Sequence, residues 1–350
     1  MVTIGVDAHK RTHTMVAVDR TGREIGQRTV AATSTGHLEA LRWAGRWAER
    51  HWALEDCAHL TRRLTADLLS AGQSVVRVPP KMMAGARRSA RERGKSDPID
   101  ARAVALAALR EPHLPVARLD GPAREVRLLV DHREDLVADR TRVANRLRWH
   151  LHELDPGNEP APRSLDRRVT LDALEVRLAD VDGPVARLAR SLVARLRLLT
   201  VEIDELEREI ARLVAKLAPS LLELVGCGPL SAAKLVGEVA GVGRFRSRAA
   251  FAMHNGTAPV PVWSGNTERF RLNRGGNRQI NVALHRIAIT QLQRPGPAHD
   301  FVARRRSAGS TKTEAIRSLR RYISDEVYRR LRADEVSLHA LPATRLAAAA

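Results

Sequence analysis

Between residues 171 and 217 the apolar positions Leu171, Leu174, Leu178, Val181, Val185, Leu188, Leu192, Leu196, Leu199, Ile203, Leu206, Ile210, Leu213 and Leu217 recur alternately three and four apart. That spacing keeps one apolar stripe along one side of an α-helix, so the tract is a heptad seam. Gly183-Pro184 interrupts it, because proline cannot donate to the preceding turn, and two helices in the same phase are expected. A further helix is expected alongside over about 123–154. If helical throughout, the roughly 47-residue tract would extend about 70 Å. The pattern suits an intramolecular helical hairpin and a pairing of two chains equally well.

The sequence before the seam changes period. TIGVDA alternates with a polar end, and MVAVDRTGREIGQRTV is expected to form a hairpin turning at Asp19-Arg20-Thr21-Gly22. A helical pattern over about 36–50, the apolar stretch WALEDCA, a helix near 61–69 and the strand-like SVVRVPP follow. Strands alternating with helices indicate an α/β layer domain, and Pro112 and Pro115 end its last helix, so its boundary is set near residue 115. After Pro219, LLELVGCGPLSAAKLVGEVAGVGRF reads as two short helices joined by GCGPL, a helix-hairpin-helix-like segment. The turn amides around Gly226 and Gly228 could cradle a phosphate, or the glycines could serve close packing alone. A Pro/Gly-rich loop TAPVPVWSGN, a basic strand-like TERFRLNRGGNR and a helix over about 279–293 come next. The expected domains are therefore 1–115, a helical coiled-coil stalk over 116–218, a mainly α domain over 219–334, and a frayed tail over 335–350.

The chain carries 59 Lys and Arg against 40 Asp and Glu, a net charge of +19, which calls for a polyanionic partner. A GC-rich genome would explain Arg replacing Lys but not the excess of base over acid. Residues 264–330 hold 15 of the basic residues against five acids, which marks a polyanion-binding surface. Candidate contacts are Arg87, Arg88, Arg91 and Lys95 in one basic segment, Arg274 and Arg278 in another, and the run Arg304, Arg305, Arg306. With only 3% aromatic residues there is little to stack on unpaired bases, so contacts should reach phosphates and groove edges. Cys57 and Cys227 stand far apart without zinc or disulfide spacing. There is no run of about eighteen apolar residues and no signal-peptide layout, which predicts a cytoplasmic protein.

Four acids suit metal chemistry: Asp7 at the end of the first strand, Glu55 after a second apolar strand, and Asp97 with Asp100 at a helix start. Carboxylates brought from separate segments to one sheet edge are what Mg²⁺ requires, since it takes oxygen ligands and supports phosphoryl transfer. Asp97-Pro98-Ile99-Asp100 is equally a good helix start, with Asp97 as N-cap and Pro98 at the first helical position. Glu55 and Asp56 are neighbours, and alternation alone does not say which faces the site.

GVDAHK near the N-terminus, Glu55 before a helix, GKSDPIDARA, LVGCGPLSAAKLVGE, then SG and GGNR resemble, in this order, the insertion sequence one-ten transposases. The resemblance implies a RuvC-like, RNase H-fold N-terminal domain whose Mg²⁺-binding tetrad is Asp7, Glu55, Asp97 and Asp100, and so selects Glu55 over Asp56. It implies a nucleophilic serine at Ser264, a position that by itself reads as a turn residue before Gly265. It further implies that this serine joins covalently to DNA during exchange, while a structured RNA from the element pairs with target and donor DNA. Asn281 stands where an arginine is common in the family, and DCAHL follows Glu55 in place of a glycine-rich stretch.

The function expected is DNA transposition or recombination, probed against two alternatives: a RuvC-like endonuclease that hydrolyses DNA, and an architectural DNA-binding protein whose acids merely cap helices. A homo-oligomer, dimer or tetramer, is expected because strand exchange holds two DNA partners together.

Overall fold

The computed structural model describes residues 1–79, 82, 96–111, 113–119, 121–265 and 267–340. Arg87, Arg88, Arg91 and Lys95 lie outside the described residues. The chain divides into two compact units, Met1–Asp120 and Gly121–Ala350.

In the first unit β1 (Val2–Ala8), β2 (Thr12–Val18) and β3 (Glu24–Ala31) form an antiparallel meander. Its second turn is closed as the sequence predicts: Asp19 Oδ1 accepts from Thr21 N at 2.9 Å and Arg23 N at 3.0 Å, and Gly22 takes a positive φ of 84°. After α1 (Ser34–Ala44), β4 (Arg50–Glu55) pairs parallel to β1, and after α2 (Ala58–Ser70), β5 (Val75–Val78) pairs parallel to β4. The strand order is β3-β2-β1-β4-β5. A five-stranded mixed sheet in this order, with helices packed on it, is the RNase H-like α/β arrangement. The helix expected to reach residue 50 instead stops at Ala44, because Trp52 and Leu54 must alternate inward and Arg50 already belongs to β4.

The two sheet faces divide the labour. Ile4, Val6, Trp52 and Leu54 pack with Ala40, Trp43, Leu64 and Leu68 of α1 and α2. Gly5 turns to the other face, against α3 (Asp97–Arg110), so closely that a Cβ on it would lie 2.1 Å from the Ala101 carbonyl oxygen. Glycine is therefore a requirement of this contact.

The second unit begins with α4 (Pro122–Leu154), α5 (Arg168–Ala179) and α6 (Pro184–Leu217). The 70 Å rod does not form. α5 folds back on α6, with Arg197 paired to Asp172 and Glu175 at 2.5 Å each, and Arg190 Nη1 donating to the Leu178 and Val181 carbonyls. The seam closes inside the chain: Leu171, Leu174, Leu178, Val193, Leu196, Leu199 and Ile203 bury against Leu136, Val143, Leu147 and Leu151 of α4. Gly183, at φ 106°, makes the reversal that the sequence marked as a break.

α7 (Pro219–Leu222) is one turn long, followed by α8 (Pro229–Val239), α9 (Arg248–Asn255), α10 (Arg278–Leu292), α11 (Pro297–Ser307) and α12 (Lys312–Ala340). The first helix expected in the helix-hairpin-helix-like segment is thus only that single turn. Gly226 has φ 83°, and a Cβ there would meet the Ile287 carbonyl oxygen at 2.9 Å, so this glycine serves close packing on α10. Phe251, Leu235, Ile280, Leu284, Ile287, Leu319, Ile323 and Val327 form the shared core. The frayed tail expected from residue 335 is corrected, because α12 continues to Ala340; residues 341–350 lie outside the described residues.

Candidate active site

β1 and β4 run side by side in register up to the pair Val6↔Leu54, and one residue further on come Asp7 and Glu55. Side chains alternate along a strand, so both acids fall on the face of Gly5 and Ala53, the face covered by α3. Asp56, one step out of phase, is exposed. The first turn of α3 carries Asp97, which is exposed, and Asp100, which is buried. Ser96 occupies the N-cap position and Asp97 is the first helical residue, a correction to the expectation that Asp97 would be the cap. Carboxylates in a first helical turn are stabilised by the positive end of the helix dipole.

These elements converge. Asp7, His9 and Asp97 each offer a ligand atom, all within 4.8 Å of one another. His9 Nε2 is 3.0 Å from Asp7 Oδ2 and 3.4 Å from Asp97 Oδ1. His9 lies in the turn between β1 and β2, held by its backbone N–H donating to Thr12 O at 2.9 Å. Burial pushes the Asp7 carboxyl above the usual carboxylate range; His9 opposes that shift, while the charges of Asp100 and Asp97 add to it. Glu55 and Asp7 act on Cys57 in the same sense, after burial, and raise its thiol. His9 was not singled out in the sequence; GVDAHK contains it, but a lone histidine two residues after an aspartate carries no spacing signal of its own.

The donor set is hard carboxylate oxygen with one imidazole nitrogen, with Asp7 buried beside exposed His9 and Asp97, and the charges of Asp97 and Asp100 add to the raised Asp7 carboxyl. A divalent cation fits such a set, since it offsets the repulsion that the chain alone leaves in place.

Ser264 lies in the second unit, at the end of β6 (Val260–Ser264), which pairs antiparallel with β7 (Thr267–Arg271) through Ser264↔Thr267. The segment read as a Pro/Gly-rich loop is therefore a hairpin strand. Pro261 is tolerated because a two-stranded ribbon leaves each strand an open edge. Ser264 is exposed, as are all five residues of β7, and Gly265 beside it has φ 56°. The foot of the hairpin is pinned: Asn277 N donates to His254 O at 2.6 Å, Asn273 Nδ2 to Met253 O at 2.9 Å, and a Cβ on Gly276 would lie 2.3 Å from Gly256 N. Asn277 also caps α10 through Gln279 N and Ile280 N and donates to Glu238 Oε2 at 2.7 Å. Arg274, Arg278, Arg304, Arg305 and Arg306 are all exposed, and Gly228 is exposed while Gly226 is half-buried.

A family model described as "Transposase" matches residues 4–156, and one described as "Transposase IS116/IS110/IS902 family" matches residues 218–303. An insertion element IS116 uncharacterized 44.8 kDa protein of Streptomyces clavuligerus is 29% identical, covering 99% of this chain and 98% of that protein. An insertion element IS900 uncharacterized 42 kDa protein of Mycobacterium paratuberculosis is 27% identical, covering 99% of both. Among solved structures, that of Thermus thermophilus RuvC matches 33% of this chain and 100% of its own, at 16% identity and a TM-score of 0.28. The chain belongs to the IS110 family of insertion-element transposases. It is an enzyme that cleaves and recombines DNA. Among the described residues no helix is long and apolar enough to cross a membrane.

Proposed function

We propose that this transposase works through a divalent-metal site, Mg²⁺ in the cell, held by Asp7, Glu55, Asp97 and Asp100, together with Ser264 as nucleophile, on DNA selected by a structured RNA. The observation that carries the reading is the approach of Asp7, His9 and Asp97 to within 4.8 Å on the sheet face that Glu55 also occupies. When bound, the metal supplies Lewis-acid stabilisation of charge on the transferring phosphoryl group.

The chain's own groups do the rest. Ser264 Oγ attacks the phosphorus of the scissile phosphodiester; an oxygen–phosphorus bond to serine forms as the phosphorus–sugar oxygen bond breaks. The serine proton leaves to a base, and the departing sugar oxygen gains one. Reversal of the step with a different sugar hydroxyl rejoins the strand. Exposed Arg274 and Arg278, at the hairpin foot, offer charge to the phosphate oxygens. Arg304, Arg305 and Arg306, in the last turn of α11, extend the basic surface. A homo-oligomer, dimer or tetramer, would hold the two DNA partners.

The test is incubation of element-end DNA with the protein, its RNA and Mg²⁺, followed by denaturing gel analysis of protein–DNA adducts. A covalent adduct lost in Ser264→Ala supports the reading. Cleavage with no adduct would identify a hydrolytic endonuclease, and no metal-dependent cleavage would leave an architectural DNA-binding protein.

A further inference from the structure

Arg320 differs from the arginines that follow it on α12. Arg321 pairs with Asp325, Arg329 and Arg330 with Glu326, and Arg332 with Glu335. Arg320 is half-buried, and among the described residues its guanidinium meets a neutral acceptor, Asn281 Oδ1, at 2.7 Å. Among the described residues its Nε has no hydrogen-bond partner. Burial, and after it the charge of Arg317 one turn earlier, lowers its pKa, while burial and then Arg320 do the same to His285 on α10. Of the acids on the flanking turns of the helix, Asp325 is paired with Arg321, and Glu314 is committed to the N–H and hydroxyl of Thr311 at 2.8 and 2.7 Å. A partly desolvated cation with a second cation beside it and no carboxylate partner is costly unless an anion completes it.

The position is tied to the serine hairpin. Asn281, which accepts from Arg320, donates through Nδ2 to Asn255 O at 2.9 Å. Asn255 is fully buried, bonds Ser324 Oγ at 2.8 Å, and ends the helix from which β6 departs.

We propose that Arg320, with Arg317 and His285 beside it, binds a backbone phosphate of the DNA strand engaged by the Ser264 hairpin. The inference rests on the reading that this unit engages DNA. A guanidinium offers a fork of donors to a phosphate, and the amide of Asn281 holds one arm of the fork in place.

The test measures binding of a short fluorescent DNA duplex by the full-length chain across a salt series. Each lost phosphate contact lowers the slope of log affinity against log salt by about one. Arg320→Gln and Arg317→Gln should each lower it by about one. Arg320→Lys should retain most of the slope. Arg329→Gln, an equal change of charge at a site already compensated by Glu326, should leave it unchanged. Weaker binding by Arg320→Gln with an unaltered slope would assign Arg320 a positioning role and overturn the proposal, as would an equal fall in slope for Arg329→Gln. Should Arg320→Gln fail to fold, Arg317→Gln decides alone. If inorganic phosphate at matched ionic strength raises the melting temperature of wild type but not of Arg320→Gln, while the DNA slope is the same in both, the site takes a free anion and the strand assignment fails. Failure of the wild-type chain to bind DNA at any salt would instead overturn the reading beneath it.

Discussion

The Nε2 atom of His9 stands 3.0 Å from Oδ2 of Asp7, which closes the β1–β2 turn over a buried carboxylate. Asp7 is desolvated and faces the charges of Asp97 and Asp100, so its ionised form is disfavoured in the metal-free chain.

The Asp7→Asn protein should therefore melt higher than wild type without metal, by about 0.5–2 kcal/mol, the common return for relieving a strained functional site. It should lose the stabilisation that wild type gains from Mg²⁺ or Mn²⁺. Thermal melts with and without each cation check both halves; a variant that melts lower yet still responds to metal would defeat the assignment of Asp7.

Gly5 controls the same site from the backbone. A methyl there would enter the space of Ala101 O at 2.1 Å and Ala105 N at 2.4 Å, neither of which can turn aside. Gly5→Ala should cost more than about 3 kcal/mol, beyond the usual range for overpacking because the collision is with backbone. If the variant folds, α3 must move off β1, and the metal response should weaken even though every carboxylate remains. Chemical denaturation alongside cation titration measures the two effects separately.

His13 gives the N-terminal unit a pH dependence. Burial, then the nearby His37 and His9, holds its imidazole down at about 4, against an ordinary value of 6.5. Its ring stacks on His37 at 5.3 Å, and among the described residues its Nδ1 has no hydrogen-bond partner. Between those two pH values the unfolded chain binds the proton that the folded chain refuses, so stability rises with pH through this window and is lost as pH falls from 6.5 towards 4. The loss approaches about 3 kcal/mol at full displacement. His13→Gln should flatten the curve in this interval; a curve with unaltered slope would show that His13 is not the group concerned.

Much of the N-terminal unit was legible in the sequence because its signals are local. Alternation in TIGVDA, the Asp19–Gly22 turn and the proline one residue after Asp97 each act within a few residues, and Asp7 and Asp97 could be named from them. What escaped depends on contacts distant in the chain. His9 matters only because β2 returns antiparallel and α3 arrives from ninety residues on, as the ion-pair distances to Asp7 and Asp97 show. Alternation left Glu55 and Asp56 open and the resemblance chose Glu55; the β1–β4 register, which no window of sequence contains, is what puts Glu55 on the face of Ala53. In the second unit the period of the seam gave helices but not their partner, and α4 took the stripe that two chains could have shared. Pro259 and Pro261 disguised β6 as a loop, since an edge strand keeps few of the residue preferences of a central one.

The acidic residues and Ser264 fall in different units of the chain, so one chain deficient in each can be made. Ser264 is exposed at a hairpin end, and Ser264→Ala should change stability by no more than about 0.5 kcal/mol. It should keep the metal response and the affinity for DNA while losing the covalent adduct. Asp7→Ala should show the converse deficit, with the hairpin intact and the metal response gone. Each protein alone should be inactive in strand exchange. If the two chemical residues that serve one strand come from different subunits of an oligomer, mixing the variants recovers part of the activity, because some assemblies pair an intact serine with an intact acidic cluster. Recombination assayed on the mixture, with co-assembly verified by light scattering or a tagged pull-down, reads the result. No recovery despite co-assembly would mean that each chain supplies its own serine and its own acids.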